Sequence, residues 1–106
     1  MSEQGPRHFI YVFDPVRPEM VTSPEAWTEK DLRIAEKHFS YLKKATEDGI
    51  VILAGRSLDG KGPAVVILEA TSEEEARRFM EGDPFVAYGL MRAHLHPFRA
   101  ALVRSK

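Results

Sequence analysis

Six stretches of this chain carry a hydrophobic rhythm, and polar punctuation separates them. HFIYVF (8–13) is aromatic and β-branched and stops at Asp14-Pro15, a turn signal, so it predicts a first strand. DPVRPEMVTSPEAW (14–27) has three prolines and no period, and an unstructured connection of this length predicts a lid, a binding loop or an interface arm. From Thr28 the period becomes helical and runs to about Glu47, where Asp48-Gly49 stops it. TEKD at its start is close to a capping box, with Asp31 in place of the usual Glu or Gln. Lys30, Arg33, Glu36, Lys37, Ser40, Lys43, Lys44 and Glu47 fall on one side of this helix. Leu32, Ile34, Ala35, Phe39, Tyr41, Leu42 and Ala45 fall on the other, with His38 near the middle and Asp31 near the start.

IVILAG (50–55) and PAVVILEA (63–70) are strand-like runs joined by the glycine-bearing turn 56–62, a predicted hairpin. Ser72 opens SEEE, a full capping box, for a second helix whose inward stripe is Ala76, Phe79 and Met80. A helical turn through Val86 and Tyr88 follows, then LMRAHLHPFRAALV (90–103), whose alternation predicts a last strand with Pro97 at an edge or a break. The order βαββαβ is the ferredoxin-like arrangement: an α+β fold with one four-stranded antiparallel sheet and both helices on one face. The second and third strands are apolar on both faces. The uncovered face therefore predicts a homodimer.

At 106 residues, the chain is expected to form one domain, 1–106. A net charge of -1 provides no footprint for nucleic acid or an anionic membrane. With no cysteine, thiolate catalysis, disulfides and Cys-type zinc sites are excluded, and the cytoplasm is the expected compartment. MSEQGPR lacks the apolar stretch of a secretory leader, and no apolar run approaches the ~18 residues of a membrane span. No phosphate cradle, P-loop or nucleophile elbow is present. No cofactor is expected.

Candidate chemistry centres on two residues. His38 is the best placed of four histidines to act near neutral pH; its ordinary role would be a core histidine with one hydrogen bond. Asp83 stands in EGDPF between Gly82, suited to a left-handed helix end, and Pro84, suited to a first helical position. It is either the N-cap for Phe85 and Val86 or a working carboxylate. The topology lets the end of the second helix approach the first, and a His–Asp pair would raise the basicity of the far ring nitrogen. His94 and His96 share one strand face and make at most half a metal site, to which His8 would have to add; a polar stripe lining a barrel or interface is the simpler reading, and no metal is expected. Trp27 reads as a hydrophobic staple or an anchor for the preceding loop.

KHFSYLKKATEDGIVILAG, VVILEATSEEEARRFMEGDPFV and HLHPF together resemble the YCII-related family of small dimeric α/β proteins, over His8 to about Val103. The resemblance implies a ferredoxin-like chain paired into a dimeric α+β barrel, with an active-site His and Asp that carry over to His38 and Asp83. It also implies lyase or dehalogenase chemistry on small aromatic-degradation intermediates. Arg56 stands where relatives commonly have a proline, and the 14–27 loop is longer than usual. The reading that follows is a cofactor-free enzyme: His38 removes a proton beside a carbonyl, Asp83 orients it, Arg56 holds a substrate carboxylate, and His94 is a further candidate for substrate binding. A non-catalytic binding or interaction module on the same fold is the alternative. A cofactor-free oxygenase, which would need a larger apolar cavity, is a third.

Overall fold

The structure is a computed structural model that describes residues 7–104. The polar stretch 1–6, which bears on a secretory leader, lies outside them. Strand β1 covers Arg7–Pro15, helix α1 Glu29–Glu47, β2 Val51–Arg56, β3 Ala64–Ala70, α2 Glu73–Gly82, the single turn α3 Pro84–Ala87, and β4 Met91–Phe98. The sheet order is β2-β3-β1-β4, and every neighbouring pair is antiparallel. This is the ferredoxin-like α+β arrangement. β4 ends at Phe98, short of the 103 expected, and Pro97 is accommodated because β4 is an edge strand with only β1 beside it.

One sheet face carries the core. Phe9 and Tyr11 of β1, Val66 and Leu68 of β3 and Val51 of β2 are buried against Leu42 and Ala45 of α1 and Ala76 and Met80 of α2. Register sets Ile10 opposite Ile67 and His96, and Val12 opposite Val65 and His94, so these six side chains share the other face, which no helix among the described residues covers. It is an apolar band edged by histidines.

The helix starts reverse the order of strength of their sequence signals. Thr28 and Asp31 form a complete capping box, Asp31 N–H to Thr28 Oγ1 at 3.0 Å and Thr28 N–H to Asp31 Oδ2 at 3.0 Å. Ser72 caps Glu75 N–H at 3.1 Å, but the Glu75 carboxylate turns back to Thr71, accepting from its N–H at 2.6 Å and its hydroxyl at 2.8 Å. Asp31 also pairs with Arg17 and is buried, which ties the connecting loop to the start of α1. The Thr28 backbone N–H first, and then Arg17, hold the Asp31 carboxyl below its usual range although burial opposes them.

That loop is less shapeless than its prolines suggest. Pro18–Val21 and Pro24–Ala26 form two short 3₁₀ turns, each with proline in its first turn, and the Trp27 indole N–H donates to the Met20 carbonyl at 2.8 Å. The β2–β3 connection packs against it at Gly60, whose φ is +74° and where an added Cβ would lie 2.7 Å from the Val21 carbonyl oxygen. Gly60→Ala combines a left-handed backbone with a backbone clash, so it is expected to cost about 2–3 kcal/mol, read as a lower urea midpoint at unchanged m-value.

Candidate active site

Asp83 occupies the corner between α2 and α3. Its backbone N–H donates to the Met80 carbonyl at 3.1 Å and closes α2, while its side-chain Oδ1 accepts from Phe85 N–H at 3.0 Å and opens α3. Gly82 is not left-handed here. It is the last residue of α2, and an added Cβ would lie 2.8 Å from the Tyr41 hydroxyl, so glycine is needed for close approach. The bend comes from Asp83 itself, at φ −62° and ψ 126°, the extended conformation preferred before proline.

The same Oδ1 lies 2.6 Å from Nδ1 of His38 on α1. Tyr11, in the middle of β1, donates its hydroxyl to Oδ2 at 2.8 Å. Asp83 is thus both a cap and the partner of His38. It has 0% exposure, as does Tyr11. Among the described residues no Lys or Arg pairs with it. Burial first, and then the Asp83 charge, push the Tyr11 phenol far above its ordinary value, so it remains a donor. Burial and the same charge push the Tyr41 phenol up to about 12.

Aromatic rings fix the plane of the imidazole. Phe85 stacks on His38 with centroids 3.8 Å apart and planes 16° apart, and Phe13 meets it edge-on at 5.6 Å. Trp27 leans on Phe85 at 6.1 Å, which connects the 14–27 loop to the ring stack. With Nδ1 held by Asp83, the ring nitrogen left for chemistry is Nε2.

His38 lines a cavity of about 1130 Å³ between α1, β2, and the 14–27 and 56–63 connections. Its walls are mainly apolar and aromatic: Phe13, Met20, Trp27, Leu32, Phe39, Phe85 and Met91 among them. Leu32 and Phe39, on the apolar side of α1, are 54% and 66% exposed at this opening. The apolar stripe of α1 is wider than the surface the sheet covers, and the surplus borders the cavity. A separate groove of about 820 Å³ between α1 and the end of α2 contains neither His38 nor Asp83.

The candidates named from sequence divide between the two sheet faces. Arg56 pairs with Ala64 at the end of β2, on the helix side, and lines the same cavity as His38. His94 does not. It pairs with Val12 on the uncovered face, with Nε2 4.0 Å from Asp14 Oδ2, because strand alternation puts it across the sheet from Ala93 and Leu95. His96 shares that face with His94. His8 is engaged elsewhere: its Nδ1 accepts from Ala100 N–H at 3.0 Å and its Nε2 is 3.5 Å from Glu69. Among the described residues, no three His, Asp or Glu side chains group as a metal site would require. Sequence reasoning missed Tyr11, Phe13 and Phe85. Phe9, Tyr11 and Phe13 alternate down one strand face, and Phe85 directly follows Asp83-Pro84; those were the available signals.

Asp83→Ala removes a cap and leaves the Tyr11 hydroxyl and Phe85 N–H unpaired. It is expected to lower the unfolding free energy by about 2–4 kcal/mol in urea titration, with Asp83→Asn losing less because the amide oxygen still accepts.

A family profile, the YCII-related domain, matches residues 16–99. No curated protein matches the chain. Among solved structures, the chain is similar to 5-chloro-2-hydroxyhydroquinone dehydrochlorinase from Burkholderia phenoliruptrix AC1100, in complex with 2,5-dihydroxybenzoquinone. The TM-score is 0.63 at 22% identity, covering 87% of this chain and 93% of that one. At that identity the likeness is one of fold.

Proposed function

Because this chain belongs to the YCII-related family, we propose that it is a small enzyme using His38 and Asp83 for acid/base elimination on a small carbonyl compound. The observation that carries the reading is the 2.6 Å His38–Asp83 contact beside a cavity of about 1130 Å³. A general base must be held at hydrogen-bond distance from its orienting group and must open onto space a substrate can fill.

In the proposed reaction, neutral His38 takes a proton through Nε2 from carbon beside the carbonyl. The electron pair of the broken C–H bond forms a C=C bond, and the C–X bond breaks with X leaving as an anion, a halide in a dehydrohalogenation. Asp83 accepts the Nδ1–H bond and stabilises the imidazolium, which then returns its proton to water. Arg56, on the wall of the same cavity, is proposed to hold a carboxylate or enolate oxygen of the substrate. The fold shared with a dehydrochlorinase in complex with a dihydroxybenzoquinone makes chlorinated hydroxyquinols the first compounds to test. The absence of cysteine fits a cytoplasmic setting. Among the described residues no helix is long and apolar enough to cross a membrane.

On an accepted substrate, His38→Ala and Asp83→Asn are expected to lower kcat/KM by about 10²- to 10⁴-fold, followed as halide release. Unchanged turnover in both variants sinks the mechanism, and binding without turnover in the wild type favours a non-catalytic binding module.

We further propose that two copies pair through the uncovered sheet face. Ile10, Val12, Val65 and Ile67 form its apolar band, and a face of this kind is ordinarily covered. Light scattering is expected to give twice the 12.0 kDa chain mass, and Ile67→Lys to give a monomer.

A further inference from the structure

We propose that Tyr11 is a positioning residue for the His38–Asp83 pair: its hydroxyl fixes Oδ2 of Asp83, so that Oδ1 meets His38 Nδ1 and Nε2 is left for substrate. The inference rests on the reading of His38 as a base. Tyr11 does not touch the cavity, and its effect passes through the carboxylate.

Packing alone does not call for a tyrosine here. The ring is held by Phe13 edge-on at 5.4 Å and by Phe79 at 6.4 Å, contacts a phenylalanine would make equally well. Burying a hydroxyl is costly unless it is bonded, and Tyr11 at 0% exposure has its bond in Asp83. The carboxylate has the reciprocal need. Oδ1 has two donors, His38 Nδ1 and Phe85 N–H, whereas Oδ2 has Tyr11. Without that hydroxyl, a fully buried anionic oxygen is left without a donor.

The site relieves that by binding a proton more tightly, since an imidazolium is the remaining compensation for the charge. The neutral, oriented base is then lost. Burial and the Asp83 charge keep the Tyr11 phenol protonated through the working pH range, so the donor is always present. The titratable groups facing Asp83 are His38 and Tyr41 from α1 and Tyr11 from β1; α2 and α3 bring Phe79, Met80 and Phe85, which do not titrate.

The test is an NMR pH titration of the His38 Cε1 proton without substrate, in the wild type, Tyr11→Phe, Asp83→Asn and the double variant. Tyr11→Phe is expected to raise the midpoint by about one pH unit, a tenfold tighter proton, and to add nothing in the Asp83→Asn background. An unchanged midpoint in folded Tyr11→Phe overturns the proposal, and so does an equal shift in the Asp83→Asn background. Should Tyr11→Phe not fold, the wild-type Tyr11 hydroxyl proton carries the test. A slowly exchanging signal lost in Asp83→Ala is expected, and its persistence there overturns the proposal. Because no turnover is read, failure here is distinct from failure of the enzymatic reading. With a substrate, the acid limb of kcat/KM in Tyr11→Phe is expected to move to higher pH by the same amount.

Discussion

A fully buried carboxylate must be surrounded by donors, and the requirement of Asp83 for them organises this molecule. The donors come from a helix, a strand and the start of a second short helix, separated by 45 and 72 positions for His38 and Tyr11. Few relative placements of α1, β1 and the α2–α3 corner satisfy all three at once. The cost of an unmet acceptor in a dry interior thus becomes a constraint on tertiary geometry. Next to it, the Tyr41 hydroxyl donates to the Phe79 carbonyl at 2.8 Å over a glycine that admits no side chain, which brings α1 and α2 closer still.

Local signals in the sequence translated well into elements and less well into their details. The aromatic and β-branched runs HFIYVF and PAVVILEA and the helical period after Thr28 gave strand and helix because those signals are properties of short segments. The capping boxes show the limit. Asp31 is one carbon too short for the usual motif yet completes it, while Glu75 abandons the motif for Thr71; side-chain acceptors choose among donors that only the folded loop brings near. Gly82 was legible as a terminator for the wrong reason, since its need for glycine comes from Tyr41 on the other long helix.

The candidate site was legible as types of residue but not as a geometry. A histidine on an apolar helix face and an aspartate at a forced bend stand out, and so does an arginine closing an apolar strand. Which sheet face a strand residue occupies does not, when both faces are apolar: alternation sets His94 and His96 together and leaves their side undecided. The same ambiguity hid Tyr11. Exposed Leu32 and Phe39 show the complementary difficulty, because a helical stripe reports affinity for apolar surroundings without saying whether protein or a ligand supplies them.

The stacking of Phe85 on His38 has a consequence for how such a protein can diversify. Asp83 and Phe85 are two residues apart in one turn, so a single tripeptide, Asp-Pro-Phe, supplies both the in-plane hydrogen bond and the ring that covers the imidazole. Much of the surrounding cavity wall is drawn from the 14–27 and 56–63 connections. Reactive core and recognition surface are therefore encoded in separate parts of the chain. Drift in the loops can retune what enters while the imidazole stays in register, and a lineage can explore new substrates without first rebuilding its chemistry.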